Sequence, residues 1–423
     1  MCLPGELTDK GRETTLALGQ RLRHLYVDQL RFMPKLISDS DMIYIRATPI
    51  QRAFESVQQT FTGFYPPSAR TADFPTPTIV QRTNADETLY PNEGACRRFA
   101  VISRAFAQRA AERWNDTEDM QYLSKKLSKY MPGGAKVAVD SHPRLSGIMD
   151  TLNATDAHGP ETKLPKEFYD PKLRAITDKI AVEEWNAGYT ESVEYRMLGC
   201  GGLMGDIASR MISSAQRNGH DGVLEVGGEG GKTGQGRGGE TGLKLALSGC
   251  HDTTLSGVLT SLGAFDGEKW PPFTSHIAFE MFRKRSAAVK PTPDVMSTPS
   301  WWSSIFNSKP TTGPAPERIS RTSTAQLSAS QESDLNDYYV RIRYNDQVMQ
   351  VPGCKAAGKH LDGDTTFCTL VGRPLLSQER LLIIIQEAFR SIVAKYTPKN
   401  WKAACAVGMD VPAFPAEIER AGF

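Results

Sequence analysis

The sequence predicts an α/β fold: a doubly wound, mostly parallel sheet flanked by helices, with an inserted, mainly helical cap. Two units in which a short apolar strand leads through a polar loop into a helix predict the sheet, and they lie near residues 42–64 and 243–262. Between them, residues 74–225 show mostly helical periodicity, which predicts the cap. The 423 residues suffice for two domains, or for one large domain with insertions.

The composition excludes several classes of protein. With 39% hydrophobic and 23% charged residues, the chain is neither a collagen, nor a coiled coil, nor disordered throughout. No apolar run approaches the roughly 18 residues that a membrane-spanning helix needs. A formal net charge of +2 does not support a nucleic-acid or membrane partner. We therefore expect no nucleic-acid partner and no transmembrane segment, and the oligomeric state stays open.

The first strand-loop-helix unit follows an amphipathic helix. Residues 8–32 carry leucines at near-helical spacing after Thr8, which is a good helix cap, and this pattern predicts the helix. The apolar run 42–45 predicts a buried strand that ends at Arg46. A helical period returns after Pro49. The order of strand, polar loop and helix is that of an α/β unit.

The second unit and the segments after it complete the predicted core. The unit consists of a strand, a turn and a helix, at residues 243–248, 249–254 and 255–262. The remaining predicted elements are two strands and an amphipathic helix, at 277–282, 338–344 and 378–396.

The predicted domain organisation places the cap between two parts of the core. The core takes residues 1–73 and 243–423, the cap 74–225, a glycine-rich loop 226–242, and a Ser/Thr/Pro-rich insertion, expected to be disordered, 286–333. The glycine-rich segment contains Gly231, Lys232 and Thr233, which suggests a phosphate-binding loop as the alternative. The rest of the spacing does not fit such a loop, so we favour a surface loop.

Polar side chains follow both predicted core strands at the point where each strand ends. Arg46 opens the segment Arg-Ala-Thr-Pro-Ile-Gln-Arg, and His251 and Asp252 lie in the segment Gly-Cys-His-Asp-Thr-Thr. Ligands of open α/β sheets bind at this carboxyl edge. An arginine can grip two phosphoryl oxygens, a histidine can donate a further hydrogen bond, and an acid can protonate a leaving alkoxide. The sequence therefore predicts a phosphate-ester site where Arg46, His251 and Asp252 converge.

Other interpretations of these residues exist. Arg46 alone could be a solvated residue or an ion-pair partner, and a His-Asp dipeptide can form a turn with an N-capping Asp. A metal-dependent HD phosphohydrolase would need further His and Asp ligands on neighbouring helices, and the sequence offers no such cluster. We therefore discount a metal site.

The motifs together resemble the histidine acid phosphatases. The three ordered segments that carry the resemblance are 7–11 (Leu-Thr-Asp-Lys-Gly), 45–53 (Ile-Arg-Ala-Thr-Pro-Ile-Gln-Arg-Ala) and 248–255 (Ser-Gly-Cys-His-Asp-Thr-Thr-Leu). Segments 87–92 and 153–162 are similar to the lysophosphatidic acid phosphatase group in particular. The resemblance runs from residue 5 to about 395, outside the glycine-rich loop and the insertion.

The resemblance implies roles for the three site residues. Arg46 matches a family arginine that binds the phosphoryl group, His251 matches the second active-site histidine, and Asp252 matches the general acid. The implied fold is a doubly wound α/β domain with a helical cap, and the implied substrate is a phosphomonoester or lysophospholipid. No metal or other cofactor is implied.

One family motif is not found in the sequence. The family nucleophile lies in an Arg-His-Gly-x-Arg-x-Pro motif on the first strand, whereas the only Arg-His pair here is Arg23-His24 in mid-helix. We therefore expect this chain to lack the nucleophile and the first family strand, and to turn over poorly or not at all. A truncated gene model is favoured over an evolved loss. The alternative is a non-catalytic pseudophosphatase that binds phosphate or a lysophospholipid.

The seven cysteines show no CxxC spacing, which argues against a structural zinc site. Cys354 and Cys368 flank a glycine-containing loop, and we expect them to form a disulfide in an oxidising compartment. Cys250, beside His251, is expected to be a packed bystander. Glycosylation sequons at Asn115 and Asn153 are consistent with a secretory route, but no signal peptide is visible, so the compartment stays open.

Overall fold

The computed structural model describes residues 5–216, 243–265, 269–284, 335–371, 374–376, 383–385 and 389–423. The whole predicted insertion and the whole glycine-rich loop lie outside these residues. None of the described helices is both long enough and apolar enough to cross a bilayer.

A parallel sheet of three strands forms one half of the core. Its strands are β1 (Ile43–Ala47), β2 (Ile79–Val80) and β3 (Leu245–Gly249), in the order β2-β1-β3. Strands β1 and β3 pair in an uninterrupted register, from Ile43 opposite Leu245 to Ala47 opposite Gly249. The carboxyl ends of these two strands therefore meet at one edge of the sheet. The α/β fold expected from the sequence is confirmed.

Two helices pack closely together on this sheet. Helix α1 (Asp9–Arg23) begins after Thr8, whose hydroxyl accepts a hydrogen bond from the Gly11 N–H at 3.1 Å, and a π-helical turn continues it. Helix α2 (Gln51–Phe64) follows β1. The backbones of α1 and α2 come into contact at Gly19. Absence of a side chain at that position allows this approach.

A helical layer follows β2 in the chain. Its helices are α3 (Arg97–Trp114), α4 (Glu118–Leu127), α5 (Leu145–His158), α6 (Pro171–Glu191), α7 (Val193–Arg196) and α8 (Gly202–Gln216). Helices α4 and α5 form an apolar cluster of their own with parts of α3 and α6. In contrast, the start of α3 and most of α8 share the largest cluster with the second half of the chain. The strand β2 lies in the segment assigned to the cap, yet it pairs with β1.

An antiparallel sheet forms the other half of the core, after α9 (Asp252–Ser261). Its strands are β4 (Ile277–Arg283), β5 (Tyr338–Tyr344), β6 (Gln347–Met349), β7 (His360–Leu361) and β8 (Asp364–Thr369), in the order β4-β5-β8-β7 with β6 on β5. The sequence predicted β4 and β5 to within one residue. It did not predict β6 to β8, which are short and lack a clear alternation of apolar and polar residues.

The predicted helix over 378–396 is wrong at residues 383–385, which form a strand. Strand β9 (Pro374–Leu376) pairs antiparallel with β10 (Ile383–Ile385), and helix α10 covers only Phe389–Ala394. Three consecutive isoleucines favour a strand, and a short apolar run has no period that separates a strand from a buried helix. A last helix, α11, spans Trp401–Ala406.

Two disulfides join described residues. The predicted bridge between Cys354 and Cys368 is confirmed, with 5.3 Å between the two Cα atoms. A second bridge joins Cys96, at the start of α3, to Cys405 in α11 across 309 residues of sequence. No pattern in the sequence indicated this pairing. It ties the helical layer to the end of the chain.

The contact between α1 and α2 predicts opposite effects for two helical glycines. A Cβ on Gly19 would come within 2.0 Å of the backbone oxygen of Thr60, whereas a Cβ on Gly147, in α5, would meet nothing closer than 3.8 Å. Gly19→Ala should lower the free energy of unfolding by about 1–3 kcal/mol, because two backbones must separate. Gly147→Ala should leave it unchanged or raise it by up to about 1 kcal/mol. Urea denaturation followed by circular dichroism measures both, and equal effects would contradict this packing.

Candidate active site

The two polar segments predicted from the sequence meet at the carboxyl edge of the parallel sheet. Strand β3 ends at Gly249, His251 caps the next helix in an extended conformation, and α9 begins at Asp252. On the neighbouring strand, the N–H of Thr48 donates to the backbone oxygen of Gly249 at 3.1 Å. The residues that follow β1 and β3 therefore surround one small region.

His251 is held by the end of the neighbouring strand. Its Nε2 lies 3.0 Å from the hydroxyl oxygen of Thr48, and the ring of Tyr90 meets the imidazole edge-on at a centroid distance of 5.9 Å. Burial, and next the positive charge of Arg52, lower the pKa of His251 to about 4, against the opposite influence of Asp252. The imidazole is therefore neutral at mildly acidic and neutral pH, and it can donate one hydrogen bond while it accepts another.

Both carboxylate oxygens of Asp252 accept hydrogen bonds. Oδ1 accepts from the N–H of Thr253 at 2.8 Å, and Oδ2 accepts from the indole Nε1 of Trp270 at 2.6 Å. Asp252 also occupies the first turn of α9, where the helix dipole and unpaired N–H groups favour negative charge. The carboxyl group is thus fixed in direction beside His251.

Arg46 lies deeper than the sequence suggests. Only 1% of the residue is exposed, and its guanidinium pairs with the buried carboxylate of Glu87. The same Glu87 oxygen accepts the backbone N–H groups of Thr88 at 2.8 Å and Leu89 at 2.6 Å. The hydroxyl of Thr254 donates to the backbone oxygen of Leu89 at 2.6 Å. The arginine therefore holds the loop that packs against α9 and His251.

Sequence reasoning did not single out Arg52 or Asp150. Arg52, in the first turn of α2, is exposed, and its Nη1 donates to the backbone oxygen of Gly5 at 3.4 Å; it has no carboxylate partner among the described residues. Its charge acts on His251 and on Asp150 of α5. Partial desolvation, and next the charge of Asp252, raise the pKa of Asp150 to about 6. Arg52 is the last residue of the polar segment that begins at Arg46. Its position in the first turn of a predicted helix was the feature of the sequence that could have identified it.

Two other side chains near these motifs take no part in the site. Burial raises the pKa of the Cys250 thiol to about 12, so the thiol stays protonated, as expected of a bystander. His24 follows α1, whose 15 residues span about 22 Å from its start near the site, and 67% of the His24 side chain is exposed. His24 is therefore remote from His251. Within the described ranges, no group of three or more His, Cys, Asp or Glu side chains could hold a metal ion.

Comparisons with known proteins agree on one family. A family model for the histidine phosphatase superfamily (branch 2) matches residues 2–345. The chain is 35% identical to a probable acid phosphatase of Schizosaccharomyces pombe, over 88% of the chain and 73% of that protein. It is 27% identical to lysophosphatidic acid phosphatase type 6 of Bos taurus, over 67% of the chain but only 58% of that protein.

Among solved structures, the fold is similar to that of phytases. The apo form of Hafnia alvei phytase superposes with a TM-score of 0.53 at 12% identity, and the match covers 96% of this chain and 90% of the phytase. At this identity the likeness concerns the fold alone.

The surroundings of His251 predict how it titrates. We expect its imidazole to gain a proton with a midpoint near pH 4, and inorganic phosphate should raise that midpoint, because a bound anion stabilises the imidazolium. Nitrogen-edited NMR of the histidine rings measures the midpoint, and His251→Gln identifies the signal by removing it. A midpoint near the ordinary 6.5 that phosphate does not move would contradict this account.

Proposed function

The chain belongs to branch 2 of the histidine phosphatase superfamily, and on that basis we propose that its site binds the phosphoryl group of a phosphomonoester. The observation that carries the proposal is that the neutral His251 and Asp252 lie together at the start of α9, with the charge of Arg52 close enough to lower the pKa of His251. A cation, a neutral hydrogen-bond donor and a helix N-terminus together form a receptor for a phosphate group.

Each of these groups has a proposed part in hydrolysis. Arg52 binds the phosphoryl oxygens, His251 donates a hydrogen bond to them, and Asp252 protonates the leaving oxygen as general acid. Arg46 matched the phosphate-binding arginine by resemblance, but its charge is already paired with Glu87. We therefore propose that Arg46 supports the site through the loop after Glu87, and that Arg52 is the guanidinium that meets the substrate.

The family reaction also needs a nucleophilic imidazole, and we propose that it comes from outside these 423 residues. The sequence holds no Arg-His-Gly motif. Among the described residues β3 pairs only with β1, and its side chains alternate between half-buried and exposed. An edge strand of this kind can accept a further strand. A segment that pairs there would lie next to the residues that follow β3.

The substrate class and compartment follow as further proposals. Lysophosphatidic acid phosphatases are among the relatives, which supports a lysophosphatidate as one phosphomonoester to test. Two disulfides in the described part of the chain support an oxidising compartment, because disulfides persist mainly there.

Anion binding tests the proposal without any turnover. Arg52→Met should weaken the binding of orthovanadate or inorganic phosphate to the purified chain by about tenfold or more, because a charged hydrogen bond contributes about 1.5–3 kcal/mol. Isothermal titration calorimetry measures the affinity. Arg104→Met is the matched control, since Arg104 is an exposed arginine of α3. If Arg52→Met binds as tightly as the control, the proposed role of Arg52 is wrong.

Turnover tests the catalytic roles. The 423-residue chain should hydrolyse p-nitrophenyl phosphate negligibly at acidic pH, and a longer chain that supplies the Arg-His-Gly motif should be active. In that active form, Asp252→Asn should lower kcat by about 10²–10⁴-fold through loss of the proton donor. Robust turnover by the 423-residue chain, abolished in His251→Ala, would show that another group is the nucleophile.

A further inference from the structure

The indole of Trp270 contacts the proposed general acid directly. Its Nε1 donates to Oδ2 of Asp252 at 2.6 Å, a distance typical of a strong, charge-assisted bond, and only 5% of Trp270 is exposed. An indole N–H donates and never accepts, so it can stabilise a carboxylate but cannot take its proton. Trp270 can therefore stabilise the carboxylate form of Asp252 but cannot act as a proton acceptor in the reaction.

The helical layer fixes the position of this indole. Trp270 forms a small buried cluster with Met149 of α5 and Ala181 of α6, and Val182 and Trp185 pack against it. The rings of Trp185 and Trp270 lie 6.2 Å apart. Since residues of α5 and α6 pack against the buried ring, its N–H keeps one direction. The direction of the Asp252 carboxyl group is thus set partly from α5 and α6.

We propose that Trp270 is a positioning residue that orients Asp252 for proton transfer to the leaving group. This inference rests on the proposed function. In the step concerned, the nucleophilic imidazole, which the proposed function takes from outside these 423 residues, forms a bond to phosphorus while the bond between phosphorus and the leaving oxygen breaks. The leaving oxygen takes the proton of Asp252, and Asp252 remains as a carboxylate. The N–H groups of Trp270 and Thr253 already point at the two carboxylate oxygens, so the developing negative charge meets preorganised donors.

The proposal makes a prediction about leaving groups. An alkoxide leaves only with the help of the acid, whereas p-nitrophenolate is stable enough to leave with little help. Loss of the indole N–H should therefore slow the hydrolysis of an alkyl phosphate more than that of p-nitrophenyl phosphate. A residue that merely supports the fold would slow both reactions alike.

The hydrogen bond can be tested in the 423-residue chain whether or not it is active. The sequence has six tryptophans, so an indole-labelled sample gives six N–H signals at most. We expect Trp270→Phe to remove a strongly downfield indole proton signal, and Asp252→Asn to move that same signal upfield. Trp185→Phe is the matched control, because the Trp185 N–H lies in the same cluster but has no hydrogen-bond partner among the residues that the structure describes. A Trp270 signal that Asp252→Asn leaves in place would overturn the proposal.

Kinetics in the form that turns over phosphomonoesters complete the test. Trp270→Phe should lower kcat for glycerol phosphate by about tenfold or more, with kcat for p-nitrophenyl phosphate changed by less than about threefold and KM unchanged for both. Trp185→Phe should change neither kcat by more than about twofold. Equal losses on both substrates would overturn the positioning role. If the longer chain that supplies the Arg-His-Gly motif hydrolyses neither substrate, the proposed function is refuted, while the indole signals still report on the bond.

Discussion

The register in which β1 pairs with β3 is the constraint on which the candidate site depends. It places Ala47 opposite Gly249, so the two polar segments leave the sheet at the same height. A Cβ on Gly249 would come within 2.6 Å of the backbone oxygen of Ala53. Only glycine therefore lets the first turn of α2 pack against the end of β3. Arg52 precedes Ala53 in that turn, and this close approach brings its charge to His251.

Burial determines the charges at the site. Arg46 and Glu87 are both almost fully buried and neutralise each other, since an unpaired charge there would cost about 3–5 kcal/mol. His251 avoids the cost by staying neutral. Its pKa is near 4 in the folded chain and 6.5 in the unfolded one, so between these values the unfolded state binds more protons and stability falls as the pH falls. A bound phosphate opposes this loss, because it raises the pKa of the folded state.

Patterns among neighbouring residues predicted the strands and turns whose formation depends on those residues themselves. β1 and β3 are short, mainly apolar runs bounded by polar turns, and the order of motifs around them indicated the sheet edge that carries His251 and Asp252. The strand β10 was missed because three isoleucines carry no period. The bridge from Cys96 to Cys405 and the bond from Trp270 to Asp252 join residues far apart in sequence. Such contacts depend on how helices and sheets pack, and no local pattern encodes them.

The two arginines of the first polar segment show why adjacency to a strand is an ambiguous signal. Side chains alternate along a strand, so Arg46 and Thr48 lie on the same side of the sheet, and both are buried. Arg46 precedes the last strand residue, Ala47, and its side chain meets the interior, where it needs Glu87. Arg52 lies five residues beyond the strand, in the first turn of α2, and it is exposed to solvent. An arginine inside the strand can thus pair with a buried carboxylate, whereas one beyond the strand is accessible from solvent.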